Sequence, residues 1–122
     1  MDEITILQAE VLKVLASPRR LEILHRLAGR SMEVGRLAAE IGASQPNVSQ
    51  HLAVMRTVGI VESERDGREV RYRVADPEVI RACDVMRAVL ERRFTRLGGL
   101  AAPTPAAEAR PQAASRLLTH AR

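Results

Sequence analysis

Between residues 3 and 59 the apolar positions return every three or four residues, and between 61 and 74 they return every second one. The first spacing is that of a helix with one buried side, the second that of a strand with one buried face. Ile4, Leu7, Val11, Val14 and Leu15 predict a first helix from about residue 3 to 15. Ser17 then stands as an N-cap, with Pro18 in the first turn, where its missing N–H costs nothing. Leu21, Ile23, Leu24 and Leu27 form the apolar side of this second helix, and Gly29 ends it. A short third helix from about Val34 to Ile41 buries Val34, Leu37, Ala38 and Ile41 and stops at Gly42. Ser44 caps a fourth, Gln45 to Val58, with Pro46 in its first turn, Val48, Leu52 and Met55 as its inner stripe, and Gly59 closing it. Two helices joined by Gly42-Ala43-Ser44 form a helix-turn-helix.

In the period-two stretch, Val61, Ser63, Val70, Tyr72 and Val74 alternate with Glu62, Arg71 and Arg73 around Asp66-Gly67, a strong hairpin signal. A two-residue loop of Asp66 and Gly67 would pair Arg65 with Arg68 and Val61 with Tyr72, so that both apolar faces point the same way. It would also set Glu64 opposite Glu69, one unfavourable like-charge pair. Asp76 caps a long last helix with Pro77 in its first turn, and Val79, Cys83, Met86, Leu90 and Phe94 mark its apolar stripe. After Leu97-Gly98-Gly99 the composition shifts to Ala, Pro, Thr and Gln, which predicts a flexible tail over 99–122 behind one domain over 1–98. The expected fold class is mainly α with a small β-hairpin wing: a winged helix-turn-helix of four helices, two strands and a final helix.

Composition narrows what such a scaffold can do. Aromatics make up 2% of the 122 residues, Tyr72 and Phe94 alone, so the core is aliphatic. Base stacking, the usual grip on single strands and RNA loops, is nearly excluded. The formal net charge is +4 and Lys13 is the sole lysine, so the positive charge is arginine. Its planar fork of donors fits phosphate and the guanine edge. Charge alone fits a solvated basic surface equally well. One cysteine, Cys83, excludes an intramolecular disulfide framework and a multi-thiolate zinc site. No stretch approaches the roughly 20 apolar residues of a membrane span, and no secretory apolar run opens the chain, so a cytoplasmic protein is expected.

The chemistry concentrates in Ser44-Gln45-Pro46-Asn47-Val48-Ser49-Gln50-His51-Leu52. A helix that enters the major groove needs an aliphatic face to fix it and an opposite face of short donors and acceptors. With Val48, Leu52 and Met55 inward, Pro46, Asn47, Ser49, Gln50 and Ala53 turn outward. Ser44 and Gln45 sit at the N-terminal end, where free backbone N–H groups attract phosphate. Most amphipathic helices have a polar solvated face, but such faces are rich in Lys and Glu, and Ser44 to Met55 contains neither. Arg65 and Arg68, flanking the hairpin tip, would reach a neighbouring minor groove or the backbone. Candidate DNA-binding residues are therefore Ser44, Gln45, Pro46, Asn47, Ser49, Gln50, His51, Arg65 and Arg68.

Three segments together resemble the ArsR/SmtB regulators. They are Ser17-Pro18-Arg19-Arg20-Leu21-Glu22-Ile23-Leu24, the Ser44 to Leu52 run followed by Gly59-Ile60-Val61, and the wing from Arg65 to Val74. The resemblance spans about residues 10–94 and implies a homodimer paired through its first and last helices. Such a dimer binds a palindromic operator in double-stranded DNA and represses until an effector releases it. The residues point the same way, because the apolar stripes of the terminal helices exceed what the intervening core needs for cover. Metal sites known in this family are not intact here: Ser31 to Arg36 holds no thiol, and Val89 and Arg92 fall where Asp76 and Glu78 would need ligating partners. No metal or other cofactor is expected. Cys83 is a candidate effector or redox residue only if two copies meet across a dimer; a small buried apolar residue is the commoner fate. His25, His51 and His120 are not spaced for a metal. An enzyme is not expected, since Cys83 has no base arranged near it and no phosphate-cradling glycine loop is present. A winged-helix module for protein contact or non-specific DNA coating is the alternative from another class.

Overall fold

A computed structural model describes residues 1–98. Its order is α1 (Glu3–Leu15), α2 (Pro18–Arg26), β1 (Met32–Glu33), α3 (Val34–Ile41), α4 (Gln45–Thr57), β2 (Val61–Asp66), β3 (Glu69–Val74) and α5 (Glu78–Arg96). The starts of α1, α2 and α4 each have a side-chain cap. Asp2 accepts from the Thr5 N–H at 2.7 Å, Ser17 from Arg20 at 3.3 Å and Ser44 from Asn47 at 3.2 Å, so one orphan donor at each N-terminus is satisfied. Gly42 ends α3 in the left-handed conformation (φ 69°), which leaves its N–H to close on the last-turn carbonyls Ala38 and Ala39. The expected end of α4 at Val58 falls one residue later than observed, since Val58 is its C-cap.

The core is aliphatic, as the composition demands. Ile23, Leu24 and Leu27 of α2, Leu37 and Ala38 of α3, and Val48, Leu52 and Met55 of α4 are buried, with Leu15, Met32, Ile60 and Val61 around them. Each fully buried aliphatic side chain contributes about 1.5–3 kcal/mol relative to exposure. Because α4 packs on α1, α2, α3 and β2, its inner stripe is held from several sides.

Two sheet features depart from the sequence-based expectation. The sheet has three strands in the order β1-β3-β2, all antiparallel, and β1 was not foreseen. Two residues are too short to carry a period; Met32 is nonetheless buried, paired with Tyr72. The hairpin register also differs: Asp66 pairs with Glu69, Ser63 with Tyr72 and Val61 with Val74, so Gly67 and Arg68 form the loop. Arg65 thus faces Val70, not Arg68, and Val61 faces Val74, not Tyr72. Backbone conformation and charge explain the change. An Asp-Gly loop of the I′ type needs positive φ at both residues, whereas a loop with glycine first needs it at glycine alone. Gly67 has φ 64° and no non-glycine residue among those described has positive φ. The register also sets Glu64 opposite Arg71 and Glu62 opposite Arg73 in mid-strand, and moves the one acid–acid pair to Asp66 and Glu69 at the exposed tip. Moving by two positions in total keeps every side chain on its expected face, and Ser63, Val70, Tyr72 and Val74 remain half-buried.

The described chain divides into two compact units, Met1–Ala82 and one beginning at Cys83, with the boundary inside α5. Asp76 accepts from the Glu78 N–H at 3.0 Å, but α5 begins at Glu78, so Pro77 precedes the helix and does not lie in its first turn as expected. No residue of α5 is fully buried. Val79, Cys83, Leu90 and Phe94 are half-buried, while Met86 of the expected stripe is exposed with Val85 and Val89. The expected tail, 99–122, lies outside the described residues.

Candidate nucleic-acid interface

Burial of Val48, Leu52 and Met55 fixes which way the rest of α4 points. Gln45, Pro46, Asn47, Ser49, Gln50 and Ala53 are all exposed, so the structure gathers the amide and hydroxyl groups on one outward face. Ser44 is exposed too, but its Oγ is occupied in capping the helix. Gln45 lies across the start of α3: a Cβ at Gly35 would sit 3.8 Å from its Oε1. None of the amide groups at Asn47 and Gln50 is packed into the protein.

His51 behaves differently from its neighbours. It is half-buried, and its Nδ1 accepts a hydrogen bond from Arg20 Nε at 3.1 Å. Burial first, then the Arg20 and Arg19 guanidinium charges, hold the ring below the usual histidine value of 6.5, so it is neutral at pH 7. With Nδ1 engaged, only Nε2 remains for an outside partner. Nothing in the local spacing announces this contact, which joins residues 31 apart.

The wing is less basic than its arginine count suggests. Arg73 donates to Glu62 at 2.8 Å and also pairs with Glu64. Arg71 donates to Ser31 Oγ at 3.1 Å and to its carbonyl at 2.9 Å, which ties the sheet to the entry of β1. Only Arg65 and Arg68 are left at the tip; both are exposed, with no ion pair among the described residues. Arg56 is a cation that the sequence reading passed over. It is exposed on the flank of α4, seven residues after Ser49 and so on nearly the same line of the helix.

Cys83 is half-buried, and burial followed by the neighbouring Asp84 charge raises its thiol above the usual value. A raised thiol is a poor nucleophile and a poor ligand. Among the described residues no three His, Cys, Asp or Glu side chains converge on a point. None of the described helices is long and apolar enough to cross a membrane.

An exposed polar helix carried by a helix-turn-helix and followed by a hairpin defines the winged helix-turn-helix class. Residues 17–63 match the model of the bacterial regulatory protein, arsR family. The chain is 40% identical over 87 residues to the HTH-type transcriptional regulator Rv0081 of Mycobacterium tuberculosis, covering 70% of this chain and 76% of that one. The crystal structure of Rv0081 superposes with a TM-score of 0.69 at 36% identity, over 79% of this chain and 97% of that one. The solution structure of the homodimeric winged helix-turn-helix DNA-binding domain of Mb0332 from Mycobacterium bovis gives 0.70 at 30% identity, over 76% and 86%. The HTH-type transcriptional repressor SmtB of M. tuberculosis is 42% identical over 74 residues, 61% of this chain and 55% of that one. This chain belongs to the ArsR family and is a transcriptional regulator, not an enzyme.

Proposed function

We propose that this regulator is a homodimeric repressor that binds a palindromic operator in double-stranded DNA sequence-specifically and is released by an effector. The outward face of α4 carries the reading: side chains that both donate and accept, on a helix whose opposite side is locked in the core. Asn47 and Gln50 read base edges, with Pro46 and Ser49 beside them. Ser44 and Gln45 bring the helix N-terminus to a phosphate, and Arg65 and Arg68 take the flanking backbone or minor groove. His51 adds at most its Nε2. Residues 1–98 carry both binding and pairing. Cys83 serves as a small, largely inert packing residue. Repression and pairing draw support from SmtB, named a repressor, and from Mb0332, described as homodimeric.

Pairing through α1 and α5 follows from what each helix leaves uncovered. Ile4 and Leu7 on α1, and Val85, Met86 and Val89 on α5, are exposed. Two-fold pairing would set two recognition helices about 34–36 Å apart, one DNA turn, or a multiple of it. With six to ten phosphate contacts, affinity should fall roughly 10³–10⁵-fold between about 50 and 200 mM salt. Selection of bound sites from a random duplex pool, followed by footprinting, tests the whole reading. Two symmetric protected half-sites are expected. A pool that stays random, or protection without half-sites, would instead mark a coating or protein-contact module.

A further inference from the structure

We propose that Arg20 is the positioning residue of the recognition helix: its guanidinium grips the last turn of α1 and the His51 ring of α4 in one fork, and the fork requires that ring to be uncharged. The proposal rests on the DNA-binding reading above.

The fork is built from both ends. The Arg20 N–H is held by the Ser17 cap at 3.3 Å, which fixes where the side chain starts. From there Nε donates to His51 Nδ1 at 3.1 Å and Nη1 donates to the Val14 carbonyl at 3.0 Å. That carbonyl needs a partner, because the last carbonyls of a helix have none within it. Ala16 N–H takes the Lys13 carbonyl and Ser17 N–H takes that of Leu15, which leaves Val14 for the guanidinium. The cation also meets the negative end of the α1 dipole there. Arg20 has no carboxylate partner among the described residues, so this is a directional tie and not an ion pair.

Val48, Leu52 and Met55 decide which side of α4 is inward by apolar packing, a force that is itself non-directional, and a hydrogen bond adds a constraint on the fine angle of the helix. Among the described residues, the Arg20–His51 bond is the one hydrogen bond from an α4 side chain to another helix. His51 follows Gln50 directly and lies four residues after Asn47, so the angle of its ring sets the angle of the reading face. Turning α4 by about 10° moves a side-chain tip ~6 Å from the axis through about 1 Å, enough to lose hydrogen bonds to base edges.

The charge condition follows from the donor count. Nδ1 accepts only in the neutral ring protonated at Nε2; a proton on Nδ1 would point one N–H at another. The charged groups that act on the ring are Arg20 and Arg19 of α2. Arg19 is itself tied to Glu22 at 2.8 Å and to the Ile41 carbonyl at 3.5 Å. Among the described residues no charged group of α1, α3 or β2 offsets the two arginines. Acid therefore breaks the fork, at a pH below the ordinary histidine value of 6.5.

The test uses the full chain, a duplex it selects from a random pool, and a scrambled duplex of equal length. The readout is the ratio of the two affinities, which cancels any general attraction of a charged ring to DNA. Arg20→Lys keeps the charge but not the two-armed fork; the ratio should fall about tenfold or more with an unchanged salt slope. The double variant Arg20→Lys/His51→Leu should lose no more than the worse single one. As the pH falls below 6.5 the wild-type ratio should decline, whereas His51→Gln, which accepts without titrating, should hold a flat ratio. A full ratio in Arg20→Lys, additive losses, or the same pH profile in His51→Gln would overturn the positioning role. Failure of Arg20→Lys to fold leaves the decision to the pH comparison, which changes nothing at Arg20. A wild-type protein with no discrimination removes the DNA-binding reading itself, and the positioning role with it.

Discussion

Gln50 stands near the middle of the outward face of α4, three residues beyond Asn47, and its amide carries both donors and an acceptor. In the proposed interface, truncation would remove a bidentate reader while leaving the phosphate contacts intact. Gln50→Ala is therefore expected to cost about 1–3 kcal/mol on a selected duplex and little on an unrelated one, by anisotropy titration. Equal losses on both would mean that Gln50 does not read bases. In the same proposal Arg68, exposed at the wing tip and without an ion pair among the described residues, would make the opposite kind of contact, with charge and not sequence. Arg68→Ala should weaken both duplexes alike and lower the salt slope by about 1; an unaltered slope takes the wing out of the contact set. The α4 face was legible in the sequence because a helix from Ser44 to Met55 without Lys or Glu is unusual for a merely solvated surface. The engagement of His51 was not. Its contact with Arg20 depends on how α2 crosses α4, and spacing within either helix carries no information about that crossing.

Periodicity placed the helices well because each carries its own punctuation: Ser17 and Pro18, Ser44 and Pro46, Gly42. The wing is where local signals competed. Asp66-Gly67 is a good hairpin dipeptide, yet Gly67-Arg68 forms the loop, because cross-strand charge pairing and a single positive φ both favour it. Substitution at the tip distinguishes the two registers. Gly67→Ala has open space around the added Cβ, so its cost is conformational, about 1–2 kcal/mol at φ 64°. Asp66→Ala should change stability by no more than about 0.5 kcal/mol, since Asp66 needs no positive φ and loses only its place opposite Glu69. Urea midpoints of the two variants check this, and a costly Asp66→Ala would favour the Asp66-Gly67 loop. Strand β1 was invisible for a different reason. Met32 is buried through pairing with Tyr72, forty residues away in the chain, and a two-residue strand leaves no pattern behind.

At the scale of the whole molecule, the question is what covers the terminal helices. In α1 Ile4 is 71% exposed, and in α5 Val85 is 60% exposed, with Met86 and Val89 beside it. Large apolar side chains clustered on a regular helix face mark an interaction surface more often than scattered ones do. The proposed occupant is a second copy of the chain, which would double the recognition face at a fixed spacing. Binding of a second half-site would then be intramolecular, and avidity should exceed single-site affinity by about 10²–10⁴-fold without new contacts. Val85 and Val89 lie one turn apart on one line of α5, so Val85→Glu/Val89→Glu places two carboxylates in that face. At micromolar concentration the variant should sediment with half the wild-type mass and lose at least about a hundredfold in affinity for a two-half-site duplex. Its affinity for a single half-site should stay within a few-fold of wild type, because α4 and the wing are untouched. A variant that keeps the dimer mass would move the interface elsewhere. A wild-type protein that binds one and two half-sites equally well would separate DNA recognition from pairing altogether.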